Sequence, residues 1–201
     1  MNDTKGKPLA VVTGASSGIG RELAARFAEH GYDLVVAAED KRIESTAASL
    51  AGQAVQALPV QADLAVFDGV EELWQRIQGT GRVLEAVAIN AGVGVAGDFT
   101  RDNDLADELR LIGLNTGAVH LARRVLPETV AAGRGGVFFA SSIAATAPGP
   151  HYATYAASKA FLLSSVAGSM KNNAQVAAGR IMPETAKAAT QARQTEPGSG
   201  S

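Results

Sequence analysis

The chain has 201 residues, of which 46% are hydrophobic and 19% charged, with a formal net charge of −2 and no cysteine. This length and composition predict one globular domain with a substantial core, because a domain of this size buries about 70% of its unfolded surface. The dispersed basic residues argue against nucleic-acid binding, and the lack of cysteine excludes disulfides, thiolate metal sites and cysteine nucleophiles.

Short apolar runs alternate with segments of helical periodicity along the chain. Strands are predicted at 9–13, 33–38, 54–60, 84–89 and 137–140, and helices at 21–30, 43–50, 66–78, 102–114 and 116–132. Strands without polar alternation, separated by helices, indicate a parallel sheet that is covered on both faces and joined by right-handed crossovers. The predicted fold class is therefore α/β, a doubly wound parallel sheet in a single domain spanning 1–201.

A glycine-rich turn, Thr13-Gly14-Ala15-Ser16-Ser17-Gly18-Ile19-Gly20, joins the first predicted strand to the first predicted helix. In such a turn, glycines permit a sharp bend and let backbone amides approach a pyrophosphate, while the helix N-terminus supplies partial positive charge. The spacing Gly-x-x-x-Gly-x-Gly differs from the general dinucleotide fingerprint Gly-x-Gly-x-x-Gly. Taken alone, the turn therefore also fits a flexible Gly-Ser loop.

The turn resembles the cofactor loop of the short-chain dehydrogenase/reductase family, and the resemblance continues in order along the chain. Asp63-Leu64 is similar to the family's adenine contact, and Asn90-Ala91-Gly92 to its signature beside the cofactor. The remaining motifs are Asn115 in Leu-Asn-Thr-Gly, the pair Ser141-Ser142 after the fifth strand, and Tyr155-x-x-x-Lys159. Each motif alone has a plainer interpretation as a cap or turn, but five in this order make coincidence improbable.

The resemblance implies a Rossmann-type dinucleotide-binding domain. The cofactor-binding residues that it implies are Gly14, Ser16, Ser17, Gly18, Ile19, Gly20, Glu39, Asp63, Leu64, Asn90, Ala91, Gly92, Tyr155 and Lys159.

The choice of cofactor depends on the end of the second predicted strand, where a carboxylate pairs with ribose hydroxyls and an arginine accommodates a 2′-phosphate. This segment reads Ala37-Ala38-Glu39-Asp40-Lys41-Arg42. Because Glu39 would repel a phosphate, we predict NAD or NADP as cofactor, with a preference for NAD. Arg42 would reverse the preference if it folded back toward the site.

Tyr155 and Lys159 are four residues apart and so share one face of a predicted helix. A free tyrosine has a pKa near 10, and a fixed ammonium group nearby favours its phenolate. Tyr155 could take the hydroxyl proton of an alcohol during hydride transfer, or return a proton during reduction. The predicted function is an NAD(P)-dependent oxidoreductase acting on an alcohol or carbonyl substrate.

The resemblance implies three further roles at this site. Lys159 would also hold the ribose hydroxyls of the cofactor. Ser142, at the family's usual spacing from Tyr155, would hydrogen-bond the reacting oxygen. Asn115 would anchor a water molecule in a proton relay with Lys159.

The sequence after Lys159 departs from the family pattern, in which a sixth strand ends in Pro-Gly near the nicotinamide and a substrate-covering segment follows. In one alignment, residues 161–172 complete the helix, 175–182 form a degraded sixth strand, and Pro183-Glu184 replaces Pro-Gly. In the other, which we favour, the chain passes near Ser164-Ser165 directly to a C-terminal tail. Both predict an atypical tail over about 165–201, reduced or missing C-terminal strands and an exposed edge of the sheet.

These differences leave an alternative function open, a catalytically impaired, nucleotide-binding remnant with a binding or regulatory role. The N-terminus is polar and the apolar runs are short, so we expect a cytoplasmic protein without a membrane partner. The three histidines, His30, His120 and His151, are scattered, and no metal site is predicted. Relatives commonly associate through the helices that contain Asn115 and Tyr155, which implies a homo-oligomer.

Overall fold

Five parallel strands form the centre of the molecule in the computed structural model, which describes residues 6–133, 135–147 and 149–169. The strands are β1 (Leu9–Thr13), β2 (Asp33–Ala38), β3 (Ala57–Gln61), β4 (Leu84–Ile89) and β5 (Gly136–Phe139). They pair in the order β3-β2-β1-β4-β5. The chain builds the sheet outward from β1 in one direction and then crosses to the other side at β4, so the strand order reverses beside β1.

Among the described residues, five α-helices cover the sheet on both faces, as the doubly wound prediction requires. They are α1 (Gly18–Glu29), α2 (Arg42–Ala51), α3 (Phe67–Gln78), α4 (Leu105–Ala131) and α5 (Ala153–Ser169), and a short 3₁₀-helix spans Ile143–Ala145. Successive residues of β1 point to opposite faces, so Val11 joins the core under α3 and α4 while Val12 joins the core under α1 and α2. Every residue of β1 and β2 is buried, which explains their continuous apolar sequence.

One helix-boundary prediction was wrong, because the segments 102–114 and 116–132 form the single helix α4. The gap between the two predicted helices falls at Asn115, whose side-chain amide donates to the carbonyl of Leu111 one turn earlier and to Ser158 Oγ. The polar group is therefore satisfied inside the packed helix. Gly117, also in α4, packs against the loop that follows β3, and a Cβ added at Gly117 would lie 2.0 Å from the Leu64 carbonyl oxygen.

The predicted start of β3 was also too early. Ala54 has a φ of 60°, in the left-handed region, so the chain turns there before it becomes extended at Ala57.

The described sheet ends at β5, and α5 runs through Ser164 and Ser165 to Ser169. The predicted strand at 175–182 and Pro183-Glu184 lie outside the described residues. Within the described part of the chain, no helix has both the length and the hydropathy needed to cross a membrane.

Candidate active site

A cavity of about 600 Å³ opens at the carboxyl ends of the strands, next to the point where the strand order reverses. Crevices at this position bind ligands in open α/β sheets. Most of the residues predicted for the site lie on its wall: Gly14, Ser16, Ser17, Gly18, Ile19, Glu39, Leu64, Asn90, Ala91, Gly92, Tyr155 and Lys159. The remaining predicted residues, Gly20, Asp63, Asn115 and Ser142, are not part of this wall in the described structure.

The glycine-rich turn is shaped by close backbone contacts. Gly14 has a φ of 68°, and a Cβ there would lie 2.9 Å from the Cα of Ala91. A Cβ at Gly20 would lie 2.1 Å from the carbonyl oxygen of Gly14, so Gly20 supports the turn from behind the wall. Gly18, with a φ of 53°, begins α1 and has open space where its Cβ would be. The N-terminus of α1 is therefore accessible from the cavity, as an anion-binding helix terminus must be.

Thr13 connects this turn to the Asn90-Ala91-Gly92 segment. Its fully buried Oγ1 accepts hydrogen bonds from the backbone N–H groups of Asn90, at 2.9 Å, and Ala91, at 3.0 Å. The Asn90 side chain returns a bond to the Thr13 carbonyl at 3.1 Å. These bonds hold the ends of β1 and β4 together and set the floor of the cavity.

Lys159 lies at the other end of the wall, beside Gly92 and Tyr155. Its side chain is buried, with 5% of the residue exposed, and Nζ donates to the Ala140 carbonyl at 3.2 Å. Nζ is 6.0 Å from the centroid of the Tyr155 ring, and a Cβ at Gly92 would approach it to 3.3 Å. Burial lowers the pKa of Lys159, because removal from water disfavours the charged ammonium. Tyr155 and Lys159 are thus neighbours in the cavity wall and not an exposed surface pair.

Asn115 is linked to the helix of Tyr155 and Lys159 through a residue that the sequence analysis did not single out. The Asn115 amide donates to Ser158 Oγ at 3.2 Å, and Ser158 in turn donates to the Tyr155 carbonyl at 2.8 Å. Asn115 and Ser158 are both buried. The sequence did contain a signal for this contact, a serine three residues after Tyr155, since serine hydroxyls often bond the preceding turn of their own helix.

Ser141 and Ser142 occupy different positions after β5. Ser141 lies on the cavity wall, whereas Ser142 caps the 3₁₀-helix, with its Oγ accepting from the Ala144 N–H at 3.2 Å. That accepted bond leaves the hydroxyl proton of Ser142 to be donated elsewhere. The short helix packs against α5, so both serines are held close to the helix that carries Tyr155.

Three charged residues line the end of the cavity that follows β2: Glu39, Asp40 and Arg42. Asp40 accepts from Arg42 Nε at 2.7 Å and from Ser16 Oγ at 2.7 Å. The Arg42 guanidinium, with help from Ser16, holds the pKa of the Asp40 carboxyl well below its usual range. Arg42, at the start of α2, therefore forms an ion pair with Asp40 two residues earlier.

Asp63, which the sequence analysis assigned to adenine, is paired with an arginine on α4. Arg110 donates to Asp63 from Nη1 at 3.0 Å and from Nη2 at 3.2 Å, and it also forms an ion pair with Glu39. Sequence periodicity offered no signal for Arg110, because its partners lie far away along the chain and only the fold brings them together.

A family model described as short chain dehydrogenase matches residues 8–197. The chain belongs to the short-chain dehydrogenase family. Among curated relatives, the probable oxidoreductase EphD of Mycobacterium tuberculosis is 36% identical over 158 residues, covering 77% of this chain and 26% of EphD. The chain thus spans about a quarter of that protein's length.

Solved structures of short-chain dehydrogenases share the fold. The alcohol dehydrogenase of the archaeon Thermococcus sibiricus, complexed with 5-hydroxy-NADP, superposes with a TM-score of 0.75 at 25% identity, covering 81% of this chain and 69% of its own. A short-chain dehydrogenase from Sphingobium yanoikuyae in complex with NADPH has a TM-score of 0.72 at 36% identity, with 80% and 64% covered. The described part of the chain therefore shares the parallel sheet and flanking helices of these structures over the part of them that it covers.

Proposed function

We propose that this short-chain dehydrogenase is an oxidoreductase that transfers a hydride between a nicotinamide dinucleotide and an alcohol or carbonyl substrate. The observation that carries the proposal is the juxtaposition of Tyr155 and buried Lys159 with Gly92 in the wall of the same cavity that the glycine-rich turn opens. A proton-handling pair at one end of the cavity and an anion-binding helix terminus nearer its middle match the nicotinamide end and the central pyrophosphate of a dinucleotide.

The cavity fits the cofactor on structural grounds. Gly14 and Gly18 have positive φ, and Gly18 leaves open space for a phosphate to approach the first turn of α1. When bound, the nicotinamide ring would accept a hydride from an alcohol or supply one to a carbonyl carbon. The known complexes of relatives with NADPH and 5-hydroxy-NADP support this choice of cofactor class.

The chain's own residues would handle the proton. Tyr155 would accept the hydroxyl proton of an alcohol in oxidation and donate a proton to the developing alkoxide in reduction. Lys159, held by the Ala140 carbonyl, presents an ammonium group beside the Tyr155 ring and would bond the ribose hydroxyls. Ser142 would donate to the reacting oxygen, and Asn115 would stabilise the helix of Tyr155 through Ser158 and anchor the relay water.

The preference for NAD rests on the carboxylates at the adenosine end. Glu39 and Asp40 both line the cavity, and Asp40 stays ionised because Arg42 and Ser16 lower its pKa. Carboxylates at this position disfavour a 2′-phosphate and suit ribose hydroxyls, and the arginine partners of Asp40 and Glu39 weaken both effects. The pairing of Arg42 with Asp40 supports the predicted preference for NAD over the opposite preference for NADP, in which Arg42 would bind the 2′-phosphate.

A homo-oligomer and a cytoplasmic location stay predictions of the sequence. Support for self-association comes from the exposed apolar side chains of Leu105, Leu109 and Ile112, which share one face of α4, and of Phe161 on α5.

Cofactor binding should be visible as thermal stabilisation. At a cofactor concentration about 100 times Kd, binding adds about 2.7 kcal/mol of stability, or about 5–10 °C in Tm for a domain of this size. We expect NADH and NADPH to produce such shifts in a melting experiment and GTP at the same concentration to produce none. Absence of a shift with both dinucleotides would contradict the proposal.

Turnover separates the enzyme from the alternative, a nucleotide-binding remnant. The absorbance of the reduced dinucleotide is followed over time with a panel of secondary alcohols and ketones. Turnover with any of them supports the oxidoreductase, whereas a thermal shift without turnover supports a binding role.

Replacement of the two serines tests which hydroxyl polarises the substrate. We expect Ser142→Ala to lower kcat by about 10²-fold, the usual effect of removing one donor to a developing oxyanion. Ser141→Ala is the matched control and should lower kcat much less, with cofactor Kd nearly unchanged in both variants. The reverse order in steady-state kinetics would assign the role to Ser141, the serine on the cavity wall.

A further inference from the structure

Arg110 joins two carboxylates that follow neighbouring strands. It lies in the second turn of α4, Asp63 follows β3, and Glu39 follows β2. Its guanidinium bonds both oxygens of Asp63, at 3.0 and 3.2 Å, and forms an ion pair with the carboxylate of Glu39. One cation therefore bridges the loops at the adenosine end of the cavity.

The ion pair with Arg110 changes the charge and the hydrogen-bonding capacity that Glu39 offers to a ligand. Glu39 lines the cavity, and its side chain is 53% exposed, whereas that of Arg110 is 32% exposed behind it. A free carboxylate at this position accepts hydrogen bonds from ribose hydroxyls and repels a 2′-phosphate. A carboxylate bonded to a guanidinium has fewer free lone pairs and a compensated charge, so both effects become weaker.

The neighbouring acid is compensated independently. Asp40 has its own arginine, Arg42, and the Ser16 hydroxyl. Removing Arg110 would therefore release the charges of Glu39 and Asp63 and leave the Asp40 pair intact.

We propose that Arg110 is a specificity-determining residue that reduces the discrimination of Glu39 against the 2′-phosphate of NADP. The proposal rests on the proposed dinucleotide binding and deepens it, since it makes the preference for NAD smaller than Glu39 alone would produce. Arg110 acts here through Glu39 and not through direct contact with the phosphate.

The test measures Kd for NADH and NADPH by titration calorimetry. We expect Arg110→Gln to raise the ratio of Kd for NADPH to Kd for NADH by about three- to tenfold, as expected for one uncompensated charge near a phosphate. Arg110→Lys keeps the positive charge but loses the bidentate hydrogen-bond geometry, and it should raise the ratio of the two Kd values by less than Arg110→Gln does. If the glutamine variant does not fold, the lysine variant carries the test.

Arg124→Gln is the matched control. Arg124 lies on the same helix and makes an equivalent two-pronged pair with Glu71, at 2.8 Å for both bonds, on the face that meets α3. This substitution should leave the cofactor ratio unchanged.

A double-mutant cycle decides whether Glu39 mediates the effect. In a Glu39→Gln background, Arg110→Gln should no longer change the ratio of the two Kd values. An equal change in that background would show that Arg110, or the released Asp63, acts on the phosphate without Glu39, and would overturn the proposal. An equal rise in Kd for both cofactors would also overturn the proposal, because it would show that Arg110 acts by positioning Asp63 at the adenine.

The proposed function and this inference can fail separately. If the unmodified protein binds neither cofactor, both fail. If it binds them and Arg110→Gln leaves the ratio of the two Kd values unaltered, only this inference fails.

Discussion

Tyr155→Phe is expected to lower kcat by about 10²–10⁴-fold, the range of general acid–base catalysis, with cofactor Kd nearly unchanged. The substitution removes the phenolic hydroxyl and keeps the ring, which packs beside Tyr152 with centroids 5.9 Å apart. Lys159 keeps its bond to the Ala140 carbonyl, so the cavity should retain its shape. Steady-state kinetics and a binding titration measure the two quantities separately.

Tyr152→Phe provides the matched control, because Tyr152 is the adjacent tyrosine and is exposed. It should retain kcat. Equal rates for the unmodified protein and Tyr155→Phe would show that turnover does not depend on the phenol and would overturn the assignment.

Gly20→Ala is expected to destabilise the fold by about 1–3 kcal/mol, as overpacking against fixed atoms does. The new Cβ would lie 2.1 Å from the Gly14 carbonyl oxygen and 2.6 Å from Asn90 Nδ2. The backbone of the turn must move to relieve the first contact, and this displaces the amides at the N-terminus of α1. Urea unfolding should show a lower midpoint, and the Kd for NADH and NADPH should rise.

Gly52→Ala is the control for the loss of a glycine as such. Gly52 follows α2 with a φ of −63°, and the nearest atom to an added Cβ is the Ser49 carbonyl oxygen at 3.4 Å. Alanine is compatible with that geometry and should be neutral or stabilising by up to about 1 kcal/mol. Similar unfolding midpoints for Gly20→Ala and Gly52→Ala would contradict the predicted clash.

The doubly wound sheet could be predicted because its signal is local. Continuous apolar runs with glycine-rich ends identify buried parallel strands, and the core of β1 and β2 has this pattern. The positions of Gly14 and Asn90 on one cavity wall followed from their places directly after β1 and β4. In a parallel sheet, the carboxyl ends of all strands meet at one edge.

Errors arose where a long-range contact overrides a local preference. Asn115 has a low helix propensity, yet α4 continues through it because Leu111 and Ser158 satisfy its amide. Arg110 was not predicted as a site residue for a related reason. An arginine on a helix face is usually solvated, and the ion pairs of Arg110 with Glu39 and Asp63 exist only because the fold brings these residues together.

By itself, the sequence determined the architecture, the ordered motifs and the placement of Tyr155 and Lys159 on one helix face, because strand burial, glycine backbone freedom and helical spacing act within a few residues of one another. Only the tertiary structure decided that Lys159 is buried beside Gly92, that Arg42 is paired with Asp40, and that Arg110 is paired with Glu39. The physical reason is that the charge and pKa of such a group depend on burial and on partners from other elements of the fold.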